Sequence, residues 1–73
     1  MNFRSKLFQV LSCMFETNKQ FTLSEVYQVS EGPMSYYYPN NNTIRASIRE
    51  NLQQLRDEGF LTFVDNKGTY SFT

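Results

Sequence analysis

The chain has no histidine, no tryptophan and one cysteine, with only three glycines and two prolines in 73 residues. Each shortage closes off a class of function. Without histidine there is no Cys/His zinc constellation and no imidazole to act as a general base. The single thiol, Cys13, forms no disulfide within the chain. It points to a reducing, intracellular setting, the cytoplasm. Cys13 reads as a small residue beside the core and not as a reactive group. No apolar run approaches the roughly eighteen residues of a transmembrane helix. Arg4 and Lys6 lead into an amphipathic segment, unlike the continuous apolar stretch of a signal peptide. Seven basic and seven acidic residues give a net charge of zero. That counts against a strongly basic, indiscriminate nucleic-acid binder and makes the distribution of charge the question.

What the chain does have is seven Phe and five Tyr. A chain this short buries only about 60% of the surface its unfolded form exposes. Aromatic burial is therefore the expected compensation in a single domain spanning residues 1–73.

Hydrophobic periodicity divides the chain into six segments. Residues 2–16 form a first helix with Phe3, Leu7, Val10, Leu11, Met14 and Phe15 on one face. After a polar break, Gln20, Phe21 and Thr22 form a short first strand. Thr22-Leu23-Ser24-Glu25 is a capping box that opens a second helix over residues 23–30, with Leu23, Val26 and Tyr27 facing inward. Glu31-Gly32-Pro33 ends it. Residues 33–41 are a connector in which Tyr38, preceding Pro39, is expected to be extended. Of the three consecutive tyrosines, Tyr36, Tyr37 and Tyr38, one or two are expected to pack over the core.

The third helix spans residues 42–58, with Asn42 as N-cap and Gly59 as the residue that stops it. Its buried face is Ile44, Ile48, Leu52 and Leu55. A hairpin follows at once: residues 60–64, a turn at Asp65-Asn66-Lys67-Gly68, and residues 69–72. The order helix, strand, helix, helix, strand, strand is that of an α+β winged helix-turn-helix domain, three helices with a C-terminal β-hairpin wing.

Advancing about 100° per residue from Ile48 places Asn42, Ala46, Arg49, Glu50 and Gln53 on the face opposite the core. Arg45 and Arg56 flank it. A recognition helix uses mainly its N-terminal residues on base edges, so Asn42, Thr43, Ala46 and Arg49 suit the groove. Arg49 has the fork that pairs with guanine O6 and N7, and Gln53 or Asn42 can read adenine. Ala46 is small enough to let the helix approach a methyl group. Arg45 and Arg56 suit phosphates. Asn41, Asn42 and Thr43 stand at the helix N-terminus, whose free N–H groups favour an anion. Lys67, in the wing turn, can reach a phosphate or a minor groove. Singly, Arg and Gln on a helix face are ordinary solvated residues. As a set on a helix followed by a wing, they point to double-stranded DNA. Glu50 runs against this, because a carboxylate is repelled by phosphates, unless it accepts from a cytosine amine or restrains Arg49.

Catalysis finds little in these residues. Asp65-Asn66-Lys67 matches the tail of a nuclease Asp-x-Lys pattern, but Asp, Asn and Gly belong in a tight turn for backbone reasons, and no upstream carboxylate is spaced to share a metal. Neither a cofactor nor a metal is expected. Asn41-Asn42-Thr43 fits a glycosylation sequon, which an intracellular chain does not use.

Phe21-Thr22-Leu23 with Val26-Tyr27, Tyr38-Pro39-x-Asn41, Ile48-Arg49-x-x-Leu52-Gln53-x-Leu55-Arg56-Asp57-x-Gly59-Phe60, and Gly68-x-Tyr70 together resemble the C-terminal winged-helix domain of the DpnI-type, or Dam-replacing, restriction endonucleases. The resemblance covers about residues 7–72. The chain departs at Glu50, where the family usually has Gln, and at Lys67, where it usually has Arg. In that family the winged helix accompanies a separate nuclease domain, and the best-known members recognise adenine-methylated DNA. The resemblance therefore implies double-stranded DNA binding, with N6-methyladenine in a short palindrome as the finer expectation. It also implies a nuclease domain acting in cis or in trans, and no cleavage by these 73 residues alone. Two other functions fit the same sequence: a protein-interaction winged helix, favoured by zero net charge and Glu50, and a small homodimeric repressor. Binding that survives high salt without DNA affinity separates the first from DNA reading, and sedimentation separates the second.

Overall fold

A computed structural model describes residues 2–65 and 68–73. Helix α1, Phe3–Met14, starts at Asn2, whose side chain accepts from the Ser5 N–H at 2.8 Å. Strand β1, Gln20–Thr22, runs directly into α2, Leu23–Tyr37. Both halves of the capping box are formed. Thr22 Oγ1 accepts from the Glu25 N–H at 3.1 Å, and Glu25 Oε1 accepts from the Thr22 N–H at 2.9 Å. Helix α3, Ile44–Asp57, is followed by β2, Leu61–Phe63, and β3, Thr69–Phe72. The strands form one antiparallel sheet in the order β1-β3-β2, with Phe21 opposite Tyr70 and Leu61 opposite Phe72. This is the expected winged helix-turn-helix: three helices, a short first strand and a C-terminal hairpin.

The core is the meeting of four apolar surfaces. Leu7 and Leu11 come from α1, Val26 and Met34 from α2, Ile48, Leu52 and Leu55 from α3, and Phe21, Leu61 and Tyr70 from the sheet. Aromatic rings close its edge: Phe15 stacks on Phe21 at 4.4 Å between centroids, and Phe8 meets Phe60 at 5.3 Å and Phe72 at 5.8 Å.

Several local features differ from the sequence expectation. Helix α2 does not stop at residues 31–33 but continues through Pro33 to Tyr37. An interior proline removes one backbone hydrogen bond and costs about 3 kcal/mol. Val26, Ser30 and Met34, spaced four apart, are all fully buried on one stripe. Burying Met34 alone returns about 1.5–3 kcal/mol. The last turn adds its own bonds, including Tyr38 N–H to Met34 O at 2.9 Å. Ser30 satisfies its hydroxyl by donating to the Val26 carbonyl.

Tyr37 is consequently helical. Tyr38 leaves the helix at φ −130°, ψ 66°, which is neither helical nor extended. Of the three tyrosines only Tyr38 packs against the core, 5.0 Å from the Phe3 ring, while Tyr36 is 79% exposed. The N-cap of α3 is Thr43, not Asn42, and its side chain makes no capping bond. Asn41 shapes the entry instead. Its Oδ1 accepts from the Thr43 N–H at 2.8 Å, and its Nδ2 donates to Ser47 Oγ at 2.9 Å. Cys13 is exposed and not beside the core, because α1 turns its Leu7–Leu11 stripe inward.

The exit from α3 follows expectation. Gly59 takes φ +87°. Its N–H donates to the Arg56 carbonyl at 3.0 Å, and the Phe60 N–H donates to the Leu55 carbonyl at 2.9 Å, the paired bonds of a Schellman ending. Phe60 belongs to this turn and not to the strand, and is 47% exposed. The predicted wing turn includes Asn66 and Lys67, which lie outside the described residues.

Leu52→Ala is expected to destabilise the chain by about 2–5 kcal/mol through the cavity it leaves at the helix junction. Thr22→Ala should lose about 1 kcal/mol with the capping box. Urea denaturation followed by far-UV circular dichroism reads both, and the larger loss must fall on Leu52.

Candidate nucleic-acid interface

With Ile48, Leu52 and Leu55 buried, α3 turns Ala46, Arg49, Glu50 and Gln53 to solvent. These are the residues that the helical projection placed opposite the core. Asn42 and Thr43 are exposed at its N-terminus. Asn41 is half-buried, and both ends of its amide are engaged in the turn. The wing lies beside the same face. A cleft of about 240 Å³ between α3 and the hairpin is lined by Arg49, Gln53, Phe63, Tyr70, Leu23 and Gly68. Lys67, the wing residue expected at a phosphate, lies outside the described residues.

The arginines on this helix are not equivalent. Arg45 donates through Nε to Glu31 Oε2 at 3.0 Å and lies over the Tyr27 ring, 5.0 Å from its centroid. Arg56 donates through Nε and Nη2 to Asp57 Oδ1 at 3.2 and 3.0 Å, and covers the Phe63 ring at 4.6 Å. It thereby ties the C-terminal half of α3 to β2. Arg49 has no ion pair, hydrogen bond or ring partner among the described residues.

The other described cations are engaged as well. Arg4 bonds Glu58 at 2.9 Å and Gln54 at 3.0 Å, Lys6 lies 3.8 Å from the Tyr37 ring centroid, and Lys19 pairs with Glu16 at 3.7 Å. Net neutrality thus hides a local imbalance. The uncommitted positive charge of the described residues sits on the outer face of α3, one residue before exposed Glu50, with which it forms no ion pair.

Tyr27, Glu31 and Phe63 were not among the site residues read from sequence. Tyr27 and Glu31 are four apart and so share a face of α2, which the sequence does show. That this face meets Arg45 depends on how α2 and α3 cross.

Tyr70, on the floor of the cleft, is buried, and burial pushes its phenol above the ordinary value of 10.0; the positive charges of Arg56 and then Arg49 pull it partly back. Burial disfavours the tyrosinate, so the protonated form carries the stability. That contribution is complete below pH 10 and is lost as pH rises through the folded-state value.

A helix presented on a helical frame, stopped by glycine and flanked by a hairpin, defines a winged helix-turn-helix domain. Among the described residues no helix is long and apolar enough to cross a membrane. The chain belongs to the Dam-replacing HTH domain family, whose model matches residues 2–71. It is a helix-turn-helix DNA-binding domain related to restriction enzymes, not a catalytic domain. No curated protein matched the chain.

Stability measured by urea midpoint should fall above pH 10, and Tyr70→Phe should remove part of that fall while leaving the profile below pH 9 unchanged in shape. An identical alkaline fall in the variant would show that Tyr70 is not its source.

Proposed function

We propose that residues 1–73 act as one domain that reads double-stranded DNA sequence-specifically through the outer face of α3, and that its target class is a short palindrome carrying N6-methyladenine. The observation that carries this reading is Arg49: an exposed guanidinium with no protein partner among the described residues, centred on the helix face beside the wing. A long cation left without a partner in a neutral protein is available to an external acceptor. On this helix that acceptor is the O6/N7 edge of a guanine. Gln53, one turn further on the same face, has the amide that pairs with adenine, as does Asn42 at the N-terminus. Ala46 offers no bulk, so the helix can seat deeply enough for its methyl group to meet an apolar group in the major groove, and an N6-methyl projects there.

Arg56, Thr43, the first N–H groups of α3 and Lys67 then serve phosphates, with Asn41 shaping the turn that aims them. Arg45 flanks the same surface. The domain works in an intracellular compartment, and a nuclease domain in cis or trans supplies any cleavage.

The test is binding to a duplex carrying a methylated-adenine palindrome, to its unmethylated twin and to a scrambled duplex, at two salt concentrations. The methylated duplex is expected to bind tightest. With about five phosphates neutralised, log K should fall with log salt at a slope of about −4 to −5. Arg49→Ala is expected to lose about 1–3 kcal/mol on the preferred duplex and much less on the scrambled one. An equal loss on all three would remove Arg49 from base reading. Binding to none, at either salt, would move the function to a protein partner.

A further inference from the structure

The two contacts on Arg45 make it a different kind of ligand group from Arg49. Its guanidinium donates to Glu31 through Nε, at 3.0 Å, and through neither terminal nitrogen. Its Cζ lies over the Tyr27 ring, 5.0 Å from the centroid. One neighbour takes the Nε edge of the group and the other packs an aromatic ring beneath its Cζ. The two Nη groups are left without a partner among the described residues, and the side chain is 64% exposed. An ion pair this open to water adds little to stability. It does bias Arg45 toward this rotamer before any ligand arrives, so that part of the ordering cost is not charged against binding. What remains is a planar pair of solvent-accessible donors on a side chain tethered at its Nε.

Two observations choose the acceptor. Arg45 is the second residue of α3, within the first turn, where recognition helices meet base edges. And Glu31 partly cancels its charge, which weakens attraction to a phosphate without disturbing directional hydrogen bonding. The helical projection alone put Arg45 with the phosphates; the contacts made by Glu31 and Tyr27 revise that. We propose that Glu31, Arg45 and Tyr27 form a preset reader of guanine. Arg45 contacts O6 and N7 through its two Nη groups, while Glu31 and Tyr27 are positioning residues that touch no DNA. This rests on the DNA-reading function proposed above. It adds a second specificity-determining arginine, one whose selectivity comes from rigidity, whereas Arg49 is free to adapt.

The experiment begins with selection of a preferred site by the full chain from a randomised duplex pool. Each guanine of that site is then replaced singly by 7-deazaguanine, which lacks N7. One replacement is expected to weaken the unmodified chain roughly 5- to 150-fold and to have no further effect on Arg45→Ala. Arg45→Lys should lose as much as Arg45→Ala, because a lysine keeps the charge and loses the fork. Glu31→Gln should bind scrambled DNA more tightly and discriminate less between the parent site and that 7-deaza duplex. In the free protein, nitrogen-15 NMR should show the Arg45 Nε–H protected from exchange in the unmodified chain and unprotected in Glu31→Gln.

An Arg45→Lys variant equal to the unmodified chain, or a loss in Arg45→Ala that is uniform across duplexes, would make Arg45 a phosphate contact and overturn the assignment alone. An Arg45 Nε–H that exchanges as fast as that of Arg49 would overturn the preset geometry. A chain that enriches no sequence from the pool would overturn the DNA-reading function itself and this assignment with it.

Discussion

Burial of Ile48, Leu52 and Leu55 sets the rotation of α3 about its own axis, and the outward face of the candidate interface follows from that rotation. The three side chains face α1, α2 and β2 together. A helix locked on one side has no choice about the other. Ala46, Arg49, Glu50 and Gln53 are turned outward because the spacing of the apolar residues leaves them nowhere else to go. Gly59 then decides what stands beside that face. With φ +87° it ends α3 within one residue and sends the chain back as β2, so the hairpin is bound to lie against the helix that presents Arg49. Leu61 completes the constraint by burying itself at the start of β2.

Charge is organised as tightly as packing. Seven cations against seven anions would give a featureless surface if they paired at random. Instead the carboxylates Glu16, Glu31, Asp57 and Glu58 take particular partners, and the rings of Tyr27 and Phe63 lie beneath the guanidinium carbons of Arg45 and Arg56. A surface of zero net charge attracts polyanions weakly at long range, since counterion release scales with the number of phosphates neutralised.

Helix α2 shows how local rules yield. Gly32 and Pro33 are both poor helix residues, and together they read as a stop. The stripe Val26, Ser30 and Met34 overrides them because each position is fully buried. The continuation matters for the interface: the longer α2 is helical through Glu31, so Glu31 stands one turn from Tyr27 and both address Arg45. The connector to α3 is correspondingly short, and Asn41 closes it by bonding forward to Thr43 and Ser47.

Sequence alone determined the elements whose causes are local. The Thr22–Glu25 capping box, the apolar stripe of α3, its stop at Gly59 and the hairpin are each written within a few residues, because capping, helical periodicity and left-handed backbone geometry act over one or two turns. The outward set Ala46, Arg49 and Gln53 came with them, as did the family resemblance. Tertiary structure alone decided the rest. The length of α2 and the exposure of Cys13 depend on which surfaces find a partner. The tether of Arg45 to Glu31, the cover of Tyr27 and the clasp of Arg56 on Phe63 depend on where separate elements cross. Which cation among the described residues stays without a partner could not be read from sequence, because pairing is a property of distances between elements and the sequence carries only the order along one.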